Sequence, residues 1–210
     1  MTKVIKLIPS DDTHCLQAVF RMVVEAFSGV DPGLEVAERE TGYVEGRGTW
    51  QFMALNSLAN RGLNVVDHEQ LDTALFVESP EEAIRLQVRD DVVAKQIIAE
   101  TDLAAERANL QDCLRNPRVD FVQGIPRIDD LQRKSAEGQL LICNINQRVL
   151  ENESGHVGHF VLVEAVEDEV VFHDPAPPGV FARRVPLELF GKAWTSPSLE
   201  MANYIAVVRK

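Results

Sequence analysis

The sequence predicts an α+β fold, with helices in the first two thirds of the chain and an antiparallel sheet in the last third. Three observations carry this expectation. Residues 15–27 place apolar side chains at helical spacing. Beyond Gly138 the pattern changes to short valine- and isoleucine-rich runs. Residues 158–175, GHFVLVEAVEDEVVFHDP, hold two such runs around the acidic break Glu167-Asp168-Glu169, which is the pattern of a β-hairpin. The 210 residues suffice to bury a substantial core, and 45 % apolar and 26 % charged residues are ordinary for a globular protein.

Taken in order, Val4–Ile8 reads as a short strand ended by Pro9. Ser10, Asp11, Asp12 and Thr13 supply N-cap candidates for a helix from Cys15 to Phe27. Cys15, Val19, Met22 and Ala26 share one face of it, and Leu16, Phe20, Val23 and Phe27 form an adjoining stripe. So wide an apolar arc belongs in a core. Gly29, Pro32 and Gly33 end the helix, and the charged, glycine-punctuated residues 34–48 read as loop or poorly formed helix. Trp50–Asn60 is helical in pattern, Leu63–Val66 a brief strand, and Pro80–Val88 a helix with proline and two glutamates in its first turn. Asp90–Leu114 reads as one long helix closed by Asn116-Pro117, and Asp129–Ala136 as another closed by Gly138. Leu140–Ile145, the hairpin, Arg183–Val185 and Tyr204–Val208 supply the sheet. One domain over residues 1–210 is expected, with 30–125 as a helical insertion.

A net charge of −12 disfavours nucleic acid and anionic membranes as partners, since both select basic patches. No apolar run approaches membrane-spanning length, and Lys3 and Lys6 interrupt the start, unlike a signal peptide. Cys15, Cys113 and Cys143 are an odd set without framework spacing, so a reduced, cytoplasmic protein is expected. Neither a Walker nor a Rossmann glycine motif occurs, and no cofactor is expected.

The chemistry concentrates in three residues. A hairpin folded about residue 168 sets positions 161 and 162 opposite 174, which brings His159 and Asp174 to the same open end, within diagonal reach. Cys15 falls at a helix N-terminus, where free N–H groups and the helix dipole favour a thiolate. The competing reading is a small core residue, and Asp11 and Asp12 work against the thiolate. Cys113 and Cys143 read as core. A rival reading makes His156, His159, His173 and Asp174 metal ligands. The x-x spacing of its first pair suits a helix rather than a strand, and the zinc-peptidase glutamate is missing, so no metal is expected. His14 reads as a capping or surface residue, Trp50 and Trp194 as core, and Ala176-Pro177-Pro178-Gly179 as a stiff loop near the site.

Cys15 with its apolar helix, Gly158-His159-Phe160-Val161-Leu162-Val163, His173-Asp174-Pro175, and Phe190 spaced from Trp194 together resemble the papain-like cysteine peptidases. Within them the chain resembles the bacteriocin-processing (double-glycine leader) peptidases, cysteine peptidase family thirty-nine. The C-terminal third carries the specific part. The resemblance implies a papain-like fold, with the N-terminal helix that bears the cysteine packed on a C-terminal antiparallel sheet. It implies Cys15 as nucleophile, His159 as general base and Asp174 as orienter of the imidazole. The reaction would be hydrolysis or acyl transfer at a peptide or amide bond through a thioester, with a peptide or protein as partner. Two positions depart from the pattern: Pro9 stands where relatives carry an oxyanion-binding glutamine, and Leu16 where they carry glycine. The alternative is therefore a catalytically degenerate module that binds a peptide or protein without cutting it.

Overall fold

The wide apolar arc of residues 15–27 forms α1 (Cys15–Ser28), on which Leu16, Val19, Phe20, Met22 and Val23 are almost wholly removed from solvent. The structure, a computed structural model, describes residues 5–209. Gly29 ends α1 at φ 79°, its N–H donating to the Glu25 carbonyl. The strand expected from Val4 is not formed over residues 5–8, and Val4 itself lies outside the described residues. Residues 34–48 contain a regular helix, α2 (Leu34–Thr41), where loop or a poorly formed helix was expected. Ala37 and Thr41 are buried as it packs on α1, and such packing stabilises a helix whose local propensity is weak.

Next come α3 (Phe52–Asn60), β1 (Asn64–Glu69), α4 (Thr73–Glu78) and α5 (Pro80–Val88). The single helix expected over 90–114 is two, α6 (Asp91–Glu100) and α7 (Leu103–Arg115). Thr101 turns extended between them, and Asp102 caps α7 by accepting from the Ala105 N–H at 3.0 Å. The Thr101 hydroxyl fixes the break, donating to the Ile97 carbonyl and accepting from Trp50 Nε1. β2 (Val119–Gln123) pairs parallel with β1, so the sheet is mixed at this edge rather than wholly antiparallel. Residues 30–125 thus contribute strands to the sheet as well as helices. The chain continues through α8 (Ile128–Ala136), β3 (Leu140–Asn146), α9 (Gln147–Leu150), β4 (Gly158–Val166), β5 (Glu169–Asp174), β6 (Val180–Pro186), α10 (Leu187–Trp194) and β7 (Asn203–Val208).

The seven strands lie in the order β2-β1-β7-β3-β4-β5-β6. Helices cover both faces. Ile142, Phe160, Leu162 and Ile205 pack toward α1, while Cys143, Val161, Val163 and Tyr204 pack toward Leu131 of α8 and Phe190 and Trp194 of α10. Double coverage explains why β3 and β4 read as unbroken apolar runs rather than alternating ones. Among the described residues no helix is long and apolar enough to cross a membrane.

The segment before α1 is strapped to the end of β5. The Ser10 N–H donates to the Pro175 carbonyl at 2.8 Å, and Pro9 packs on Gly179. A methyl group on Gly179 would lie 3.1 Å from Pro9 Cγ and 3.2 Å from Leu7 Cδ2, and its φ of +85° already disfavours any side chain. Gly179→Ala is therefore expected to lower stability by at least about 1–2 kcal/mol, the cost of a left-handed L-residue, read as a lower urea midpoint at unchanged slope.

Candidate active site

The hairpin delivers His159 and Asp174 to one end of the sheet. Near the turn its pairs, Ala165 with Val171 and Val166 with Val170, fold about residue 168. An irregularity between Val163 and Ala165 shifts the pairing by one, so Leu162 faces His173. His159 Nε2 then meets Asp174 Oδ1 at 2.8 Å, with both side chains buried. The strap at Ser10 brings α1 to the same end, so that Cys15 at its first turn lies in the electrostatic reach of His159. Cys15, His159, Ala176 and Pro177 line a cavity of about 280 Å³.

The electrostatics of the three groups interlock. Burial alone would raise the Cys15 thiol. The hydrogen bond and charge of His159, with the N–H groups of Phe160 and Leu16, outweigh it and hold the thiol below its ordinary value. Burial opposes a charged His159, but the hydrogen bonds and charges of Asp174 and Cys15 raise it to about 9. Asp174 is held below the usual carboxylate range against its burial by hydrogen bonds from His159, Arg183 and the Ala176 N–H. Each group thus favours the charged form of its neighbour, an arrangement suited to nucleophilic attack followed by proton transfer.

Two residues that build this site carry no sequence signal. Arg183 Nη1 donates to Asp174 Oδ2 at 2.7 Å, reaching it because β5 and β6 slip in register between Phe172 and Asp174. Asn146, almost fully buried, gathers the loop after β3. Its Nδ2 donates to the Gly155 carbonyl and Ser196 Oγ, and its Oδ1 accepts from the N–H groups of Arg148 and Val157. Both interactions depend on tertiary neighbours that no local pattern announces.

Other sequence expectations fall out as follows. Cys113 and Cys143 are buried, and burial pushes the Cys113 thiol up to about 12 and the Cys143 thiol higher still. Trp194 is core, but Trp50 is only half-buried and forms part of a cleft wall. His14 neither caps α1 with its side chain nor lies on the open surface. Its ring is clamped between Asp11 at 2.7 Å and Glu38 at 3.0 Å, and rests on Tyr43. His156, His159 and His173 do not converge: His173 meets Glu164 at 3.1 Å and packs on Phe181, whereas His156 lines a different cavity.

That second cavity, about 480 Å³, also reaches Cys15 and is bordered by Leu16 and Gln17 of α1. Trp50, Gln51, Glu69, Gln87, Asn144, Val157 and Phe160 line it. A half-buried thiol thus sits where two cavities meet, one of which also contains the imidazole.

A helix bearing a cysteine, packed on a sheet that presents histidine and aspartate, is the architecture of papain-like peptidase domains, and the fold of this chain is of that class. The peptidase domain of Streptococcus ComA, a bifunctional ABC transporter of a quorum-sensing pathway, superimposes with a TM-score of 0.52 at 12 % identity, covering 99 % of this chain and 100 % of that domain. A double-glycine motif protease from an AMS/PCAT transporter, solved with its leader peptide, gives a TM-score of 0.51 at 14 % identity over 100 % of this chain and 94 % of that one. No protein-family model matches the sequence, and no curated protein matches it. The likeness is one of fold.

Because the folded pKa of His159, about 9, lies above its ordinary value, its protonation stabilises the fold fully below about pH 6.5 and ceases to do so as pH rises through about 9. The ring resonances of His159 are expected to stay those of an imidazolium up to about pH 8. In Asp174→Asn, which removes the charge at 2.8 Å, the midpoint is expected to fall; an NMR titration of the two proteins checks both points.

Proposed function

We propose that this protein is a cysteine peptidase-like hydrolase or acyl transferase acting on a peptide or amide bond through Cys15, His159 and Asp174. The observation that carries the reading is that Cys15 and His159 line one cavity while His159 is hydrogen-bonded at 2.8 Å to a buried Asp174. The peptidase-like fold supports it, and the neighbour solved with a leader peptide supports a peptide as the bound molecule.

In this reading the Cys15 thiolate attacks the carbonyl carbon, forming a C–S bond and an oxyanion. The oxyanion collapses, the C–N bond breaks, and the imidazolium of His159 gives its proton to the departing amine. Water then attacks the thioester while His159 takes one of its protons, and the thiolate leaves with the acid released. Transfer replaces that water by an amine or alcohol. Asp174 accepts from the Nε2–H of His159, which leaves the other ring nitrogen to face the sulfur. Arg183 adds to His159 in favouring the ionised form of Asp174.

Pro9 supplies no donor to an oxyanion, because proline has neither a backbone N–H nor a polar side chain; it packs on Gly179 instead. The backbone N–H of Cys15, at the first turn of α1, is the donor the reading assigns. One missing donor lowers turnover by about 10²–10³-fold, so slow catalysis is expected. The same residue favours the second reading, a module that binds a peptide or protein without cleaving it.

Iodoacetamide separates the two readings. Cys15 is expected to alkylate rapidly at pH 6, and His159→Ala is expected to slow this by about 10²-fold or more, located by peptide mass mapping. A peptide library incubated with the protein should then show cuts that disappear in Cys15→Ala. Alkylation only above pH 8, with no cuts, contradicts the enzyme and leaves the binding module.

A further inference from the structure

A buried carboxyl, Glu69, lines the larger cleft, with a second, Asp67, beside it on the same strand face. Val65, Asp67 and Glu69 alternate onto the α1 face of β1, and Asp67 and Glu69 are 1 % and 5 % exposed. Gln51 Nε2 donates to Glu69 Oε1 at 2.8 Å and lies 3.4 Å from Asp67 Oδ2, while Gln87 Nε2 donates to Glu69 Oε2 at 3.1 Å. No lysine or arginine among the described residues pairs with either carboxyl, and burial holds both above the usual carboxylate range. Two buried acids without a cation are costly to a fold, and a purely structural role would be served better by apolar side chains.

Glu69 lines the cleft, and the sheet connects it to Cys15. It pairs with Asn203 on β7; the Asn203 side chain accepts from the Asn144 N–H on β3; Asn144 pairs with Phe160 on β4, whose own N–H faces the Cys15 sulfur. All four residues border the cleft. Three inter-strand steps span about 14 Å, the length of about four residues of extended peptide.

A second, independent group points to the same kind of ligand. Gln17 of α1 is fully buried and borders this cleft. Its Nε2 donates to Thr41 Oγ1 at 2.7 Å, and the Thr41 proton goes to the Ala37 carbonyl. That fixes the orientation of the amide and leaves Oε1 an acceptor without a protein partner among the described residues. The charged lining of the cleft is otherwise Asp12 and Glu100 against Arg47. The cleft offers one unfilled acceptor, Gln17 Oε1, and three carboxyls against one guanidinium, a lining that a guanidinium or ammonium group, all donors and no acceptors, would complement.

We propose that the Glu69 end of the cleft is a subsite for a lysine or arginine side chain of a bound peptide, about three or four residues from the bond presented to Cys15. Its peptide context rests on the reading given under Proposed function. Hexapeptides carrying one lysine or one norleucine, walked through every position, would be titrated by fluorescence anisotropy onto Cys15→Ala, which cannot turn them over. At one position lysine is expected to bind at least tenfold more tightly than norleucine, and adding Glu69→Gln is expected to bring the two within about twofold. No lysine preference at any position, a preference that survives Glu69→Gln, or no binding at all overturns the subsite. If Glu69→Gln does not fold, carbodiimide coupling of the bound lysine peptide to Cys15→Ala replaces it. Coupling to Glu69 is expected, and coupling confined to other carboxylates overturns the proposal. Cutting of the same peptides by the unaltered protein is scored separately. Binding without cutting contradicts the peptidase and leaves the subsite; cutting without lysine preference does the reverse.

Discussion

The Asp174 carboxylate is the constraint on which the site depends. It is 2 % exposed and would be costly if unpaired, yet three donors converge on it: His159, Arg183 and the Ala176 N–H. Each donor comes from a different piece of structure. His159 opens β4, Arg183 crosses from β6 through a slip in register, and Ala176 begins the loop that carries Gly179. Satisfying one carboxylate therefore fixes two strand registers and the path of the following loop. Through Pro175 and Ser10 that loop holds the start of α1, and so the position of the cysteine.

The arrangement separates stability from chemistry. Apolar layers on both faces of the sheet hold the strands, and the polar groups gather at the strand ends where α1 begins. Cys113 and Cys143, inside those layers, are driven toward the neutral thiol. Cys15, at the edge, is driven toward the thiolate by the imidazole and the two backbone N–H groups beside it. The same residue type is shifted in opposite directions, and environment decides which. Pro9 belongs to the stability side, anchoring the strap against Gly179.

Much of this was legible in the chain. Helical spacing located α1, α5 and α8 to within a residue or two, and the acidic break at 167–169 located the hairpin. The diagonal relation of His159 to Asp174 followed from that hairpin, because register is a local consequence of the turn. What stayed hidden depended on distant partners. The split of residues 90–114 is fixed by Thr101 meeting Trp50, β2 exists only beside β1, and α2 is held by α1. Arg183 looked like any strand arginine until the slip in β6 turned it to Asp174. The expected strand stopped at Val66, short of Asp67 and Glu69, since nothing local shows that Gln51 and Gln87 close over them.

The central claim is that His159, held by Asp174, makes an ion pair with Cys15. The thiolate absorbs near 240 nm, so the difference spectrum between the protein and Cys15→Ala, followed from pH 4 to 10, reads that pair without any substrate. The account predicts a thiolate band already present at pH 7 and absent there when His159 is replaced by alanine. A band that appears only above about pH 9 in the unaltered protein, or one indifferent to His159, would contradict it.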